Sequence, residues 1–283
     1  MRIAIIGANG QLGRCLSNDP KSEYHRLLRL DHSDIQVENY ESIHIAFEDF
    51  EPEIIINTAA YHSDLQDREK NWKTNVTGAY MLSKYCESHN SCLIHISTDY
   101  VFDGQSNSPY DEESIPYPIN EYGISKFVAE SILNQSYEYK AFIIRVSTLF
   151  GYGGCRAKGG RNLIDTIIRN LNKGEPFSVH CNVFVSPSYA VDVSSNIYEL
   201  IKGQFSTTPP PICPLTKILH FTNSEYCSLY ELALFIKDLI NSNTEILESE
   251  CNDRFRPKFT ALRTNHGVYR MSDWKSAVER YIV

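Results

Sequence analysis

The 283 residues contain no C-x-x-C pair, and no two histidines stand at ligand spacing such as H-x-x-x-H. The eight cysteines are scattered. A chain long enough to bury its own core needs no disulfide staples, so free thiols in a reducing compartment are the expectation. No metal site is expected either. Long hydrophobic runs are also missing: nowhere do about 18 apolar residues follow one another. The opening "MRIAIIGANG" is broken by Gly7 after a short apolar stretch, too short for a signal peptide, so a soluble cytoplasmic protein is expected. Positive charge is scarce, with 27 Lys and Arg against 35 Asp and Glu and a net charge of −8. Neither nucleic acid nor a membrane is therefore an expected partner. Internal repeats and a low-complexity tail are absent too.

What is present is an alternation of strand and helix patterns. "RIAIIG" is an apolar run that stops at a glycine, as a buried parallel strand does. Further strand candidates are "HRLLRLD", "EIIINT", "CLIHIST" and "AFIIRVST", and helical periods lie between them. This rhythm implies βαβ units and a parallel sheet, an α/β protein. The second half is less regular. "GYGGCRAKGGR" reads as a glycine-rich basic loop, "NLIDTIIRNLNKG" as a helix closed by Gly174, and "TTPPPICP" as a stiff loop. "ILHFTN", "SLYELALFIKDLI" and "SDWKSAVERYI" suggest a small strand and two helices of a second lobe.

The first strand runs into Gly7-Ala8-Asn9-Gly10-Gln11-Leu12-Gly13, a G-x-x-G-x-x-G at the first strand-to-helix turn. Gly7 permits the tight turn, Gly10 lets backbone approach a pyrophosphate, and Gly13 lets the helix pack on the strand. The helix N-terminus then offers N–H groups to the phosphates. Asp31 ends the second strand candidate, where a carboxylate binds the adenine ribose hydroxyls or simply closes a solvated turn. A carboxylate there repels a 2′-phosphate, which favours NADH over NADPH. "INTAAY" brings small residues, Ala59 and Ala60, to another strand end, where they either let a cofactor pass or pack.

Ser97, Thr98 and Asp99 close the "CLIHIST" strand, and Tyr122 and Lys126 stand one helical turn apart in "YGISK". A phenol has a pKa near 10, so it donates a proton readily only if a cation stabilises the phenolate. Thr98 is suited to hold a carbonyl oxygen while Tyr122 protonates it. Alone, Y-x-x-x-K is as easily a surface pair. Following a glycine turn and a Ser-Thr strand end, it reads as a reductase site.

With these segments the chain resembles the dTDP-4-dehydrorhamnose reductase group of the extended short-chain dehydrogenase/reductases. The resemblance rests on "GANGQLG", "EPEIIINTAAY", "TNVTGAY", "HISTDYVFDG", "YDEESIPYPINEYGISKFVAE" and "IIRVSTLFG", and weaker matches carry it over nearly the whole chain. It implies a Rossmann-type doubly wound parallel sheet with a smaller C-terminal α/β substrate lobe. The implied division is a dinucleotide-binding domain over 1–150 with a returning segment near 189–205, and a lobe formed by 151–188 and 206–283. It implies reduction by NADH or NADPH of the C4 ketone of a nucleotide-linked 4-keto-6-deoxysugar, in polysaccharide or deoxysugar synthesis.

By motif, Thr98, Tyr122 and Lys126 take the catalytic places, and Lys126 also reaches the nicotinamide ribose. Gly7, Gly10, Gln11, Leu12 and Gly13 match the phosphate loop, Asp34 and Ile35 the pair beside adenine, and Ala59, Ala60 and Tyr61 the strand-end contacts. Thr98, Asp99, Tyr122, Thr148 and Asn162 are the expected substrate contacts. Thr148 stands where the family carries a Trp, and the loop before Asn162 is longer than usual, so the sugar is open. Arg156, Lys158 and Arg161 in that loop either contact a diphosphate or form a solvated basic surface. Members of the group are monomers or dimers, so a monomer or homodimer is expected. Two other readings share the scaffold. One is an epimerase or dehydratase, the latter needing Asp-Glu after the strand-end Thr, where this chain has Asp99-Tyr100. The other is a non-catalytic regulator like the β subunit of methionine adenosyltransferase.

Overall fold

The computed structural model describes residues 1–61, 67–135, 141–154, 159–205 and 216–283. The first half contains β1 (Arg2–Ile6), α1 (Gln11–Asn18), β2 (Arg26–Leu30), α2 (Tyr40–Phe47) and β3 (Ile54–Asn57). It continues with α3 (Arg68–Trp72), α4 (Gly78–His89), β4 (Cys92–Thr98), α5 (Glu121–Asn134) and β5 (Ala141–Val146). The second half has β6 (Leu149–Phe150), α6 (Leu163–Lys173), β7 (Phe177–His180), β8 (Phe184–Val185), β9 (Ser188–Tyr189) and α7 (Ala190–Phe205). It closes with β10 (Thr216–His220), β11 (Cys227–Ser228), α8 (Leu229–Leu239), β12 (Ile246–Ser249) and α9 (Trp274–Ile282).

Six parallel strands form the main sheet in the order β10-β5-β4-β3-β1-β2. Both faces are covered, so adjacent residues of one strand serve different cores. In β1, Ile3 and Ile5 join Leu12 and Leu16 of α1 and Val193 and Ile197 of α7. Ala4 and Ile6 join Ile43 and Phe47 of α2 and Leu82 of α4 on the other face. That two-sided burial is why the strands read as continuous apolar runs rather than alternating ones. The strand order reverses between β1 and β3, and ligands collect at the carboxyl ends beside such a switch point.

Two features differ from the sequence expectation. "ILHFTN" is not a strand of the second lobe: as β10 it pairs with β5 and completes the main sheet. Its apolar residues satisfy either placement, and only the pairing decides. The "NWKTNVTGAY" segment is not one regular helix, because residues 73–77 form a π-turn between α3 and α4. The remaining C-terminal elements do form a separate core, in which Ile164, Ile167, Leu171, Leu232, Ile236, Trp274 and Val278 pack together. The proline-rich stretch falls largely within 206–215, outside the described residues. Among the described residues, no helix is long and apolar enough to cross a membrane.

Candidate active site

The turn after β1 is shaped for close approach. Gly7 has φ +79°, and a Cβ there would stand 2.7 Å from Thr58 Oγ1. A Cβ on Gly13 would lie 2.2 Å from the Gly7 carbonyl oxygen, so α1 starts against the turn only because both residues lack side chains. Gly10 caps α1 in an extended conformation, and its N–H donates to the Gly7 carbonyl at 2.8 Å. Gln11 is buried at the helix start, and the Leu12 side chain belongs to the core. A phosphate at this turn would therefore meet the Leu12 backbone and not its side chain. The cradle that added Cβ atoms would fill fits a dinucleotide pyrophosphate at a helix N-terminus.

Asp31 stands just past β2 with its carboxylate fully engaged. It accepts from the Asn9 side-chain amide, and from Ser33 through its N–H at 2.8 Å and its hydroxyl at 2.5 Å. The Ser33 bonds hold its pKa down to about 2, so it is charged throughout the physiological range. Asp34 turns back to accept from the Asp31 N–H at 2.8 Å. Ile35 is buried, with its side chain in the cluster of Val37, Ile43 and Leu82. A cleft of about 240 Å³ borders this edge, lined by Asn9, Arg14, Arg29, Asp31 and Asp34 among others. The two arginines carry no sequence signal that singles them out.

At the end of β3, the Ala59 N–H donates to Asn57 Oδ1 at 3.1 Å, and Ala60 is exposed. Tyr61 is clamped on both backbone groups by one side chain: its N–H donates to Asn75 Oδ1, and its carbonyl accepts from Asn75 Nδ2, each at 2.9 Å. Asn75 lies in the π-turn and also donates to Ser125 Oγ at 3.0 Å. The widened turn, a feature often found at functional sites, thus ties the end of β3 to α5.

"YGISK" opens α5, whose N-cap Asn120 accepts from the Gly123 N–H at 2.8 Å. Gly123 decides the placement of the helix, since a Cβ there would be 2.0 Å from the Tyr100 carbonyl oxygen. That contact presses the first turn of α5 onto the turn that follows Thr98. Tyr122 is half-buried and meets the Tyr100 ring edge-on, with centroids 6.1 Å apart. Lys126 is 1% exposed. Its Nζ donates to the Ile96 carbonyl at 2.6 Å and lies 3.0 Å from His95 Nε2. The pair is therefore not a solvated surface pair.

Burial lowers the Lys126 pKa to about 8, against a smaller upward pull from Glu130. The folded value lies below the unfolded 10.5, so burying the ammonium opposes folding below about pH 8, and the cost fades as pH rises towards 10.5. Lys126→Met is expected to be more stable than the parent near pH 7. Its denaturant-unfolding free energy should also lack the parent's rise with pH across that window.

Thr98 ends β4, 6% exposed. Its hydroxyl accepts from the Tyr100 N–H at 3.2 Å and donates to Asp99 Oδ1 at 3.0 Å. Asp99 is 3% exposed, and its second oxygen accepts from Ser147 Oγ at 2.7 Å. Burial pushes its pKa up, opposed by the hydroxyl bonds. Asp99 is thus an interior acceptor, held by the hydroxyls of Thr98 and Ser147. Asn162 is likewise buried. It caps α6 in a reciprocal box with Asp165, and its amide donates to the Gly151 carbonyl and the Tyr281 hydroxyl, at 3.1 and 2.9 Å. Thr148 is half-buried with φ +39°, a strained conformation for a β-branched residue and of the kind that clusters at functional sites. Arg156 and Lys158 lie outside the described residues, and Arg161 is exposed.

The profile described as RmlD substrate binding domain matches residues 1–283, the whole chain. The chain belongs to this family. The RmlD assignment is matched by a dTDP-4-dehydrorhamnose reductase of Aggregatibacter actinomycetemcomitans, 32% identical over 84% of this chain and 78% of that protein. The spore coat polysaccharide biosynthesis protein SpsK of Bacillus subtilis is 28% identical over 99% of this chain and 96% of its own. Among solved structures, the dTDP-4-dehydrorhamnose reductase of Bacillus anthracis in complex with NADP superposes with a TM-score of 0.86. It is 29% identical, and the match covers 99% of this chain and 98% of that one. The RmlD fold therefore extends through both halves of the molecule.

Proposed function

We propose that this RmlD-family chain is an NAD(P)H-dependent reductase of the C4 ketone of a nucleotide-activated 4-keto-6-deoxysugar, acting in surface polysaccharide or deoxysugar synthesis. The observation that carries the reading is the junction of Tyr122 and the buried Lys126 with the Thr98 end of β4, at the sheet edge that also bears the glycine turn. When bound, the reduced dinucleotide supplies the hydride. Gly7, Gly10 and Gly13 admit its pyrophosphate, and the strand end around Ala59 and Tyr61 gives it a floor. Thr98 orients the ketone oxygen. As that oxygen gains the electron pair of the carbonyl, the Tyr122 hydroxyl transfers its proton to it. Lys126 stabilises the phenolate left behind when it carries charge.

Asp99 is turned to Ser147 and Thr98, which weighs against the dehydratase alternative, where a carboxylate must face the sugar. With eight cysteines that a chain of this size need not pair, the reaction is assigned to the cytoplasm. Supplying NADH or NADPH with a panel of nucleotide 4-keto-6-deoxysugars, and following loss of reduced-nicotinamide absorbance, tests the function. No turnover on any 4-keto sugar would refute it.

Cofactor choice is set at Asp31 against Arg14 and Arg29. The fixed negative charge of Asp31 opposes a 2′-phosphate, while the arginines lining the same cleft attract one. Asp31→Asn is expected to shift the ratio of kcat/KM for NADPH over NADH upward by roughly tenfold, the effect of one partly screened charge at close range. An unchanged ratio would show that the carboxylate takes no part.

A further inference from the structure

His95 is a buried polar side chain with no role in the chemistry above. It lies in β4, 1% exposed, and burial holds its pKa well below the ordinary value, with the Lys126 charge adding to the effect. Its Nδ1 is 3.2 Å from Asn57 Nδ2, and its Nε2 is 3.0 Å from Lys126 Nζ. A neutral imidazole has one N–H and one bare nitrogen, so it cannot accept from both neighbours or donate to both.

Asn57 decides the direction. Its Oδ1 accepts from the Ala59 N–H, which leaves only Nδ2 to face His95. Nδ1 is then the bare nitrogen and Nε2 carries the proton, the arrangement that suits an uncharged Lys126, whose Nζ accepts from Nε2 and itself donates to the Ile96 carbonyl. From Ala59 through Asn57, His95 and Lys126 to Ile96, every bond points the same way. An ammonium at Lys126 has no lone pair, so charging it reverses the run. Nε2 must accept, Nδ1–H must donate, Asn57 must turn its oxygen towards His95, and the Ala59 N–H loses its acceptor.

We propose that His95 is a positioning residue that couples the charge of Lys126 to the hydrogen-bond direction at the end of β3, so that Lys126 becomes cationic only as His95 changes tautomer and Asn57 turns over. Among the described residues, the groups facing the pair are few. Glu130, one turn further along α5, is the carboxylate that acts on Lys126, and it is itself bound by Arg145 and Ser97. β4 contributes the Ile96 carbonyl, β3 the uncharged Asn57, and the π-turn the uncharged Asn75 through Ser125. With Lys126 titrating at about 8, both directions of the chain are reached at ordinary pH. By reciprocity, any ligand that accepts from the Ala59 N–H favours the charged Lys126.

The consequence for catalysis rests on the reductase reading; the hydrogen-bond chain does not. Long-range proton–nitrogen NMR spectra of protein labelled with ¹⁵N-histidine report the His95 tautomer directly. The expected result is Nδ1–H on the acid side of about pH 8 and Nε2–H on the alkaline side, with no switch in Lys126→Met. One tautomer throughout in the parent would overturn the proposal.

The second measurement is the pH profile of turnover in His95→Gln. A glutamine oxygen accepts from the ammonium without any tautomer change, so the alkaline limb should move up by about one pH unit, a tenfold change in proton affinity. A uniformly lower rate with an unmoved limb would mean that His95 only fills space. A fixed tautomer in an active reductase removes this inference alone. A switching tautomer in a protein that reduces no ketone removes only the reductase reading.

Discussion

Tyr122→Phe is expected to lower kcat for ketone reduction by about a hundred- to ten-thousand-fold, the usual contribution of a positioned proton donor. The substitution removes one hydroxyl and keeps the ring, so the edge contact with Tyr100 remains. The Asn120 cap and the close approach at Gly123 do not involve the phenol, so α5 keeps its place. Nicotinamide cofactor affinity should therefore stay within a few-fold of the parent, read by fluorescence titration, while single-turnover reduction collapses. Equal turnover in the two proteins would remove Tyr122 from the mechanism. A parent that binds cofactor and a protein partner, yet reduces nothing, would favour the non-catalytic regulator instead.

Arg145→Met is expected to destabilise the fold by about 3–5 kcal/mol, the cost of leaving a buried partner charge uncompensated. Arg145 in β5 and Glu130 in α5 have side chains only 1% and 3% exposed. The guanidinium makes two bonds to the carboxylate, from Nε at 3.0 Å and Nη2 at 2.7 Å. It also stands 5.0 Å over the Phe102 ring, and its Nη1 is 3.4 Å from His220 Nε2 in β10. Ser97 donates to the same carboxylate, so Glu130 without Arg145 would be a desolvated anion held by that one hydroxyl. Equilibrium urea unfolding measures the loss. Replacing both charges together, in Glu130→Met with Arg145→Met, should recover most of it, because nothing is then left unpaired. Equal losses in the single and double variants would show that packing, not charge, sets the cost.

These two effects differ in how far the sequence foretold them. Tyr122 stands in a short motif with a local period, behind a glycine turn whose chemistry is visible in seven consecutive residues. Arg145 carries no such signal. Inside "AFIIRVST" it looks like an interruption of an apolar strand, and its partner is another isolated charge in a helix. Each is uninformative alone, and only the packing of α5 across β4 and β5 makes them a pair.

By itself, the sequence determined the alternation of strands and helices, the parallel class of the sheet, the glycine turn, and the candidates for the acid and its lysine. These rest on period, on glycine and on spacings of about one helical turn, all of which are local. The tertiary structure alone decided the rest. It placed β10 in the main sheet, turned Asp99 and Asn162 inward as structural acceptor and helix cap, and buried Ile35 and the Leu12 side chain. It also set His95 against Lys126, Asn57 against His95, Asn75 against Tyr61 and Ser125, and Gly123 against Tyr100. Those assignments depend on contacts between residues distant in the chain, where an asparagine, a glycine or a histidine acquires its role from the atom it happens to face.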